Sequence, residues 1–136
     1  MFADGGLIGG VAAWFENRTR VVALEPVLAP TLFAARGAGA PVDVPVGGVA
    51  ADSLGAQRIG TIGWNVTQRC VNDALLLEDR AISAAQAWLW TALKLAVEPA
   101  AALGLAALQS GVYRSRPDEK VCLILCGANV APATLA

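Results

Sequence analysis

Residues 71–96, VNDALLLEDRAISAAQAWLWTALKLA, contain the strand-then-helix pattern that decides the fold. The apolar run Val71–Leu77 predicts a buried strand, because its hydrophobic residues are continuous rather than strictly alternating. Asp79–Ala96 predicts a long helix with one apolar stripe, formed by Ile82, Ala85, Leu89, Leu93 and Ala96. A buried strand followed directly by an amphipathic helix is typical of an α/β protein with a parallel sheet.

The same alternation continues toward the amino terminus. The short apolar run Arg20–Leu24 predicts a second buried strand. Helices are predicted on both sides of it, over Gly5–Asn17 after a glycine-rich turn and over Ala29–Ala38, where Pro30 favours a helix start. Strands separated by helices predict helices on both faces of one sheet.

The remaining segments fit this pattern. Pro41–Gly55 is rich in glycine and proline and predicts a long loop, and Leu54–Arg69 predicts a helix. A second alanine-rich helix starts at Pro99 and ends near Gly111. Val121–Cys126 predicts the last strand, followed by a glycine turn. In such sheets ligands bind at the carboxyl ends of the strands.

The composition suggests a chain that covers part of its surface. It has 136 residues, which suits one domain, with 56% hydrophobic and 15% charged residues. Globular domains average roughly 45–50% apolar and about 25% charged residues. We therefore expect that this chain hides apolar surface against a partner or is part of something larger.

Several classes of function are disfavoured by residue content. The 10 basic and 11 acidic residues form no basic run, so nucleic acid is not an expected partner. Without histidine, a Ser-His-Asp triad or a histidine-containing zinc site is excluded. The most apolar stretch, residues 81–108, is interrupted by Lys94, Glu98 and Pro99, so no membrane association is expected.

Cysteine usage points to a reducing, cytoplasmic setting. The count is odd and low, with Cys70, Cys122 and Cys126, which disfavours a disulfide framework. The amino terminus has no basic region of the kind that opens a signal peptide. Cys122 is expected to be a small buried hydrophobe.

Two glycine turns are candidate binding sites. Gly5-Gly6, before a helix, could offer backbone N–H groups to a phosphate, or could be a plain tight turn. Cys126-Gly127-Ala128-Asn129, after the last strand, could place a thiol and an amide near a bound ring, or could be an ordinary turn.

Two carboxylates also have two interpretations each. Glu98 lies in the apolar stretch VEPAAALGL, where it either needs a partner or sits exposed beside Pro99. Glu25 ends a predicted strand, where it either faces a site or is solvated.

Taken in order, five motifs resemble one known family. They are GGLIGGVAAW, VVALEPVLAPTLFAA, GGVAADSLGA, VEPAAALGLAAL and VCLILCGAN. The series resembles the C-terminal part of the pyridoxal-phosphate-dependent serine/threonine dehydratases, in the tryptophan synthase β-like superfamily. This implies a three-layer α/β/α fold with a mainly parallel sheet, and makes residues 1–136 a single, incomplete domain.

The resemblance implies a set of cofactor-binding residues. The family's tetraglycine loop, which holds the cofactor phosphate, corresponds to Ala3-Asp4-Gly5-Gly6 followed by Leu7, so only two glycines match. Asp4 would repel a phosphate. Cys126 matches the serine or cysteine that faces the pyridine nitrogen, and Gly127 and Asn129 continue that motif.

Further positions match a metal site and the substrate pocket. Glu25 and the carbonyl of Ala29 match ligands of a divalent-cation site found in some relatives, but Thr31 stands where the third ligand is usually acidic. Asp52 and Ser53 match a loop that lines the active site. Glu98 matches a carboxylate near the cofactor pocket.

The largest departure from the family is a missing lysine. The Schiff-base lysine lies in the family's N-terminal portion, and this sequence has only Lys94 and Lys120, neither in such a context. We therefore expect part of a dehydratase that is inactive alone. The alternatives are a complementing subunit that needs a lysine-bearing half, and a non-catalytic amino-acid or anion-binding module; a homo-oligomer is compatible with each.

Overall fold

The computed structural model describes residues 5–135 and follows the predicted alternation of helices and strands. Its elements in chain order are α1 (Gly6–Phe15), β1 (Val22–Pro26), α2 (Thr31–Ala38), α3 (Thr61–Cys70), β2 (Asp73–Leu77), α4 (Asp79–Leu93), a 3₁₀ turn (Pro99–Ala102), α5 (Leu103–Gln109) and a second 3₁₀ turn (Pro132–Leu135). Of the helices in this range, none combines the length and the apolar character that crossing a membrane requires.

The sheet is parallel, as predicted. β1 and β2 pair in register from Val22 opposite Asp73 to Pro26 opposite Leu77. The pairing extends beyond both ends: the Asn72 N–H donates to the Val21 carbonyl at 2.8 Å, and the Val27 N–H donates to the Leu77 carbonyl at 2.9 Å. Within residues 5–135 the sheet has these two strands.

Two hydrophobic cores lie on opposite faces of this sheet. Val21 and Ala23 pack with α1, α2 and α3, whereas Leu24 and Leu77 pack with α4 and α5. Because successive side chains of a strand point to opposite faces, the two cores are separated by the sheet. The predicted α/β/α arrangement of three layers is confirmed.

Helix ends are set by local backbone geometry. α4 ends at Leu93 rather than at the predicted Ala96, because Lys94 adopts the left-handed conformation (φ 58°) and the Leu95 N–H donates back to the Leu89 carbonyl at 3.1 Å. α1 ends at Phe15, since Glu16 (φ 45°) is also left-handed.

The predicted helix over Leu54–Arg69 is wrong in its first half. α3 begins only at Thr61, after Gly60 in an extended conformation. The Gln57 carbonyl accepts the Val44 N–H at 2.8 Å, so this part of the chain is bonded to the preceding loop and not to a helix. The two strands begin two residues later than predicted. β1 starts at Val22 instead of Arg20, and β2 starts at Asp73 instead of Val71.

The predicted strand over Val121–Cys126 is wrong as well, because this segment pairs with no strand among the described residues. The expectation that Cys122 is buried fails with it, since Cys122 is exposed. An apolar run becomes a strand only when another strand takes up its backbone hydrogen bonds, and residues 5–135 provide no such strand for this segment.

A carboxylate from β1 caps helix α2. The Glu25 oxygens accept the N–H groups of Leu32 and Phe33 at 2.7 and 2.8 Å, in the first turn of a helix whose cap position, Pro30, offers no side-chain acceptor. Burial raises the pKa of the Glu25 carboxyl above its usual 4.5, and these two hydrogen bonds oppose that shift. Glu25 thus faces a helix terminus and not solvent.

This arrangement predicts a specific pH dependence. Because the raised pKa means that folded Glu25 holds its proton more tightly than unfolded Glu25, its contribution to stability is greatest below pH 4.5 and is lost as pH rises through the folded pKa. We therefore compare the free energies of unfolding of the wild-type protein and of Glu25→Gln in urea titrations. The difference, wild type minus variant, should fall between pH 4 and pH 7. Glu25→Ala, which also cannot titrate, should give the same slope. A difference that grows with pH would contradict this account.

Candidate active site

A cavity of about 370 Å³ lies beside β1. Residues 20–25 form one wall and residues 119–124 form the facing wall. One face of α1 and the start of α5 also line it, and these helices belong to the layers on opposite faces of the sheet. The cavity therefore lies in the plane of the sheet, next to β1 and between the helical layers.

The first predicted cofactor-binding turn opens onto this cavity. Gly5 and Leu7 line it at the start of the ten-residue helix α1, and Gly6 between them is exposed. Gly5 is left-handed (φ 87°), and a Cβ there would come within 3.1 Å of Ile59 and 3.3 Å of Gly63. The first N–H groups of a helix have no partner within it, and its amino terminus favours an anion. The turn therefore fits a phosphate; Asp4 lies outside the described residues.

The second predicted turn meets Glu98. The Glu98 N–H donates to the Gly127 carbonyl at 3.0 Å, and the buried Glu98 side chain occupies the space that a Cβ at Gly127 would need. Gly127 is also left-handed (φ 93°), so only glycine fits there without strain. Cys126 is half-buried, and Asn129 is exposed. Of the two interpretations of Glu98, the buried one is correct.

The predicted substrate loop forms a compact turn. The Ser53 and Leu54 N–H groups both donate to the Ala50 carbonyl, at 3.1 and 2.9 Å. This turn places Leu54 on the cavity wall, with Ser53 half-buried and Asp52 exposed.

The residues matched to a divalent-cation site do not fit one. Both Glu25 oxygens accept N–H groups of α2, and the Thr31 hydroxyl donates to the Ala56 carbonyl at 2.8 Å. Ala29 is buried, and between residues 5 and 135 no three His, Cys, Asp or Glu side chains come together as a metal site. We therefore assign Glu25 to the capping of α2.

The candidate residues thus fall into two groups. Gly5, Leu7 and Glu25 line one cavity, whereas Glu98 and Gly127 form a separate contact. Chain neighbours of the second group also reach the cavity. Ala100, shortly after Glu98, and Ile124, shortly before Gly127, both line it. The predicted residues are therefore near one another, but not all on one wall.

One polar cluster at the cavity was not predicted. Arg20 pairs with Asp73 and lies 5.9 Å from the centre of the Tyr113 ring, and the Tyr113 hydroxyl donates to Glu119 at 2.7 Å. That hydrogen bond is the main cause of a lowered pKa of the Glu119 carboxyl. The cluster closes the end of the cavity beside the start of β1. No sequence pattern links these residues, because they come together only through the fold.

The close contact between Gly127 and Glu98 predicts that Gly127→Ala is destabilising. The new methyl must displace the Glu98 side chain and also adopt a strained backbone conformation, which should lower the free energy of unfolding by about 1–3 kcal/mol. Gly37→Ala is the matched control, because a Cβ at Gly37 in α2 meets nothing within 4 Å. That control should be neutral or stabilising in the same denaturation experiment, and equal effects of the two substitutions would refute the assignment.

Comparison with characterised proteins identifies relatives among amino-acid enzymes. The chain is 35% identical over 135 residues to a serine racemase of Arabidopsis thaliana, covering 94% of this chain and 40% of that protein. It is 33% identical over 130 residues to the biosynthetic L-threonine dehydratase of Escherichia coli, covering 93% of this chain and 25% of that protein. The chain thus spans well under half the length of these relatives.

The fold agrees with these matches. The solved structure of maize serine racemase superposes with a TM-score of 0.83 at 34% identity, covering 97% of this chain and 42% of that one. The family model described as pyridoxal-phosphate dependent enzyme matches residues 2–127, which is most of the chain. The chain therefore belongs to the pyridoxal-phosphate-dependent enzymes of this family, and it corresponds to a C-terminal part of them.

Proposed function

We propose that this chain contributes the phosphate-binding turn and the ring-facing residues of an enzyme that eliminates water from a β-hydroxy amino acid to give an imine, which water then hydrolyses to a 2-oxo acid and ammonia. The named activities of the relatives concern serine and threonine, which are both β-hydroxy amino acids. Pyridoxal phosphate is the cofactor of the family. When bound, it supplies an electron sink for the carbon next to the amino group.

The observation that carries the proposal is the start of α1 on the cavity wall. Left-handed Gly5 packs closely against Ile59 and Gly63, and this tight turn sets the amino terminus of α1 beside the cavity, where an anion is favoured. In the proposed site the N–H groups of this turn hold the phosphate oxygens. Cys126 supports the proposal because it stands at the position that faces the ring nitrogen in the family, where a neutral partner suits elimination.

The buried carboxylate of Glu98 has a positioning role in this proposal. The Glu98 backbone N–H donates to the Gly127 carbonyl, and the Glu98 side chain packs against Gly127, so Glu98 fixes where the chain turns after Cys126. Leu54 and the apolar residues of β1 give the cavity an apolar lining. Ser53 is proposed to reach the substrate from its turn.

Neither lysine of the chain is placed to act as the covalent anchor. Lys94 is exposed after α4, and its Nζ donates to the Thr91 carbonyl at 3.0 Å. Lys120 is exposed and lies on the cavity wall, but beside Glu119 and Tyr113 near the start of β1, at the opposite end of that strand from Glu25. Ligands of parallel sheets bind at the carboxyl ends of strands. We therefore propose that catalysis needs a lysine from the N-terminal portion of these enzymes.

This proposal predicts that the 136 residues alone catalyse no elimination. Purified chain mixed with pyridoxal phosphate and either L-threonine or L-serine should release no 2-oxo acid in a lactate dehydrogenase-coupled assay, because the proton-transferring lysine is missing. Intact threonine dehydratase of Escherichia coli is the positive control.

If the chain alone does release 2-oxo acid, lysine variants identify the residue responsible. Turnover by the chain that disappears in Lys120→Ala or Lys94→Ala would show that one of these lysines serves as the anchor, and the proposed dependence on another portion would be refuted. Adding the lysine-bearing portion as a separate polypeptide should instead produce 2-oxo acid.

A further inference from the structure

We propose that Asp79 is a positioning residue of the candidate active site. Its carboxylate holds the loop of residues 47–54 across the carboxyl ends of β1 and β2, and it thereby sets the position of Ser53. That Ser53 reaches a substrate rests on the proposed function. The attachment of the loop to Asp79 is independent of that function.

Two hydrogen bonds tie the loop to the ends of the two strands. The Gly47 N–H donates to the carbonyl of Leu28, two residues after the end of β1, at 2.9 Å. The Val49 N–H donates to Oδ2 of Asp79, two residues after the end of β2, at 2.9 Å. The loop therefore crosses the edge of the sheet at which ligands of parallel sheets bind.

The turn that carries Ser53 begins directly after the bond to Asp79. The Ser53 N–H donates to the Ala50 carbonyl at 3.1 Å, and Ala50 follows Val49 in the chain. Ala50 is buried, so the peptide that joins Val49 to the turn is packed on all sides and has little room to rearrange. A displacement of Val49 is therefore passed through Ala50 to Ser53.

The Asp79 carboxylate fits closely against the backbone of the loop. Gly48 is left-handed (φ 82°), and a Cβ there would lie 2.6 Å from Oδ2 and 2.9 Å from Oδ1 of Asp79. Glycine thus allows this close approach. Asp79 also lies in the first turn of α4, where the helix dipole favours a negative charge, and a charged acceptor strengthens the bond from the Val49 N–H.

One oxygen of this carboxylate is not explained by a role in the helix. Asp79 Oδ1 is buried and accepts no hydrogen bond from the part of the chain that the structure describes. A buried acceptor without a partner costs free energy, so the stability of α4 alone does not favour a carboxylate here. Local costs of this kind are typical of functional sites. Since the other oxygen bonds to the loop, we assign Asp79 to the loop.

Amide exchange of the chain alone tests the attachment. Asp79→Ala removes the acceptor and should speed the exchange of the Val49, Ser53 and Leu54 amides at least about tenfold. Asp79→Asn should have a smaller effect, because its amide oxygen can still accept the Val49 N–H. Glu78→Ala is the matched control, since Glu78 is the adjacent, exposed carboxylate and makes no capping bond to α4. It should leave the three loop amides unchanged.

A role confined to the helix would give a different pattern. In Asp79→Ala, the amides at the start of α4 would then exchange faster, whereas those of Val49, Ser53 and Leu54 would not. That result overturns the inference. Equal acceleration of amides throughout the chain also overturns it, because the bond would then serve the whole fold and not the loop.

A second pair of variants approaches the contact from the loop. Gly48→Ala brings a methyl against the Asp79 carboxylate and should also speed the exchange of the Val49 amide. Gly47→Ala is its control, because a Cβ at Gly47 meets nothing within 4 Å. When Asp79 is already alanine, Gly48→Ala should have a smaller effect, since the carboxylate is gone. Equal effects of Gly48→Ala in the two backgrounds would refute the contact.

The consequence for the substrate is measured in a mixture of the chain with the lysine-bearing N-terminal portion of the Escherichia coli threonine dehydratase. Asp79→Ala should raise the KM for L-threonine at least about tenfold and leave kcat within about twofold, because it misplaces a binding group and not the reacting groups. Ser53→Ala should raise KM as well. Combining the two should add nothing further, since Asp79 acts through Ser53. Fully additive effects would contradict that link.

The two measurements separate this inference from the proposed function. If the loop amides respond and the mixture releases no 2-oxo acid, the attachment by Asp79 is confirmed and the proposed elimination fails. If the mixture is active and Asp79→Ala changes neither the loop amides nor KM, the inference fails and the elimination stands. Loop amides that respond while KM stays unchanged also overturn the positioning role.

Discussion

The parallel pairing of β1 with β2 is the constraint on which the rest of the structure depends. It fixes the register from Val22 to Pro26, and it directs Val21 and Ala23 toward one helical layer and Leu24 toward the other. The same pairing uses only one edge of β1. A parallel strand buried between helices on both faces is normally an interior strand, so the open edge is the unusual feature of this chain. The cavity lies along this edge, and so does the segment 121–125, with its exposed Val121 and Ile124 and no backbone hydrogen bond to another described residue.

Sequence reasoning succeeded where the deciding interactions are local. Both strands and the parallel sheet could be predicted from the apolar runs that end at Leu24 and Leu77. The long helix could be predicted from the apolar stripe between Ile82 and Leu89. Burial and helical periodicity are properties of short segments, so one segment of sequence is enough to show them. It failed where an element depends on a distant partner. Val121–Cys126 has the composition of a strand, but a strand needs a neighbour, and residues 5–120 place none there.

The candidate site shows the same division. The turn at Gly5 could be predicted, since a glycine before a helix is a local signal. The contact between Glu98 and Gly127 and the cluster around Tyr113 could not, because each joins residues that are distant in sequence. The role of Glu25 illustrates a further limit. A carboxylate at a strand end can bind a cation or cap a helix, and only the position of α2 shows that both oxygens accept N–H groups.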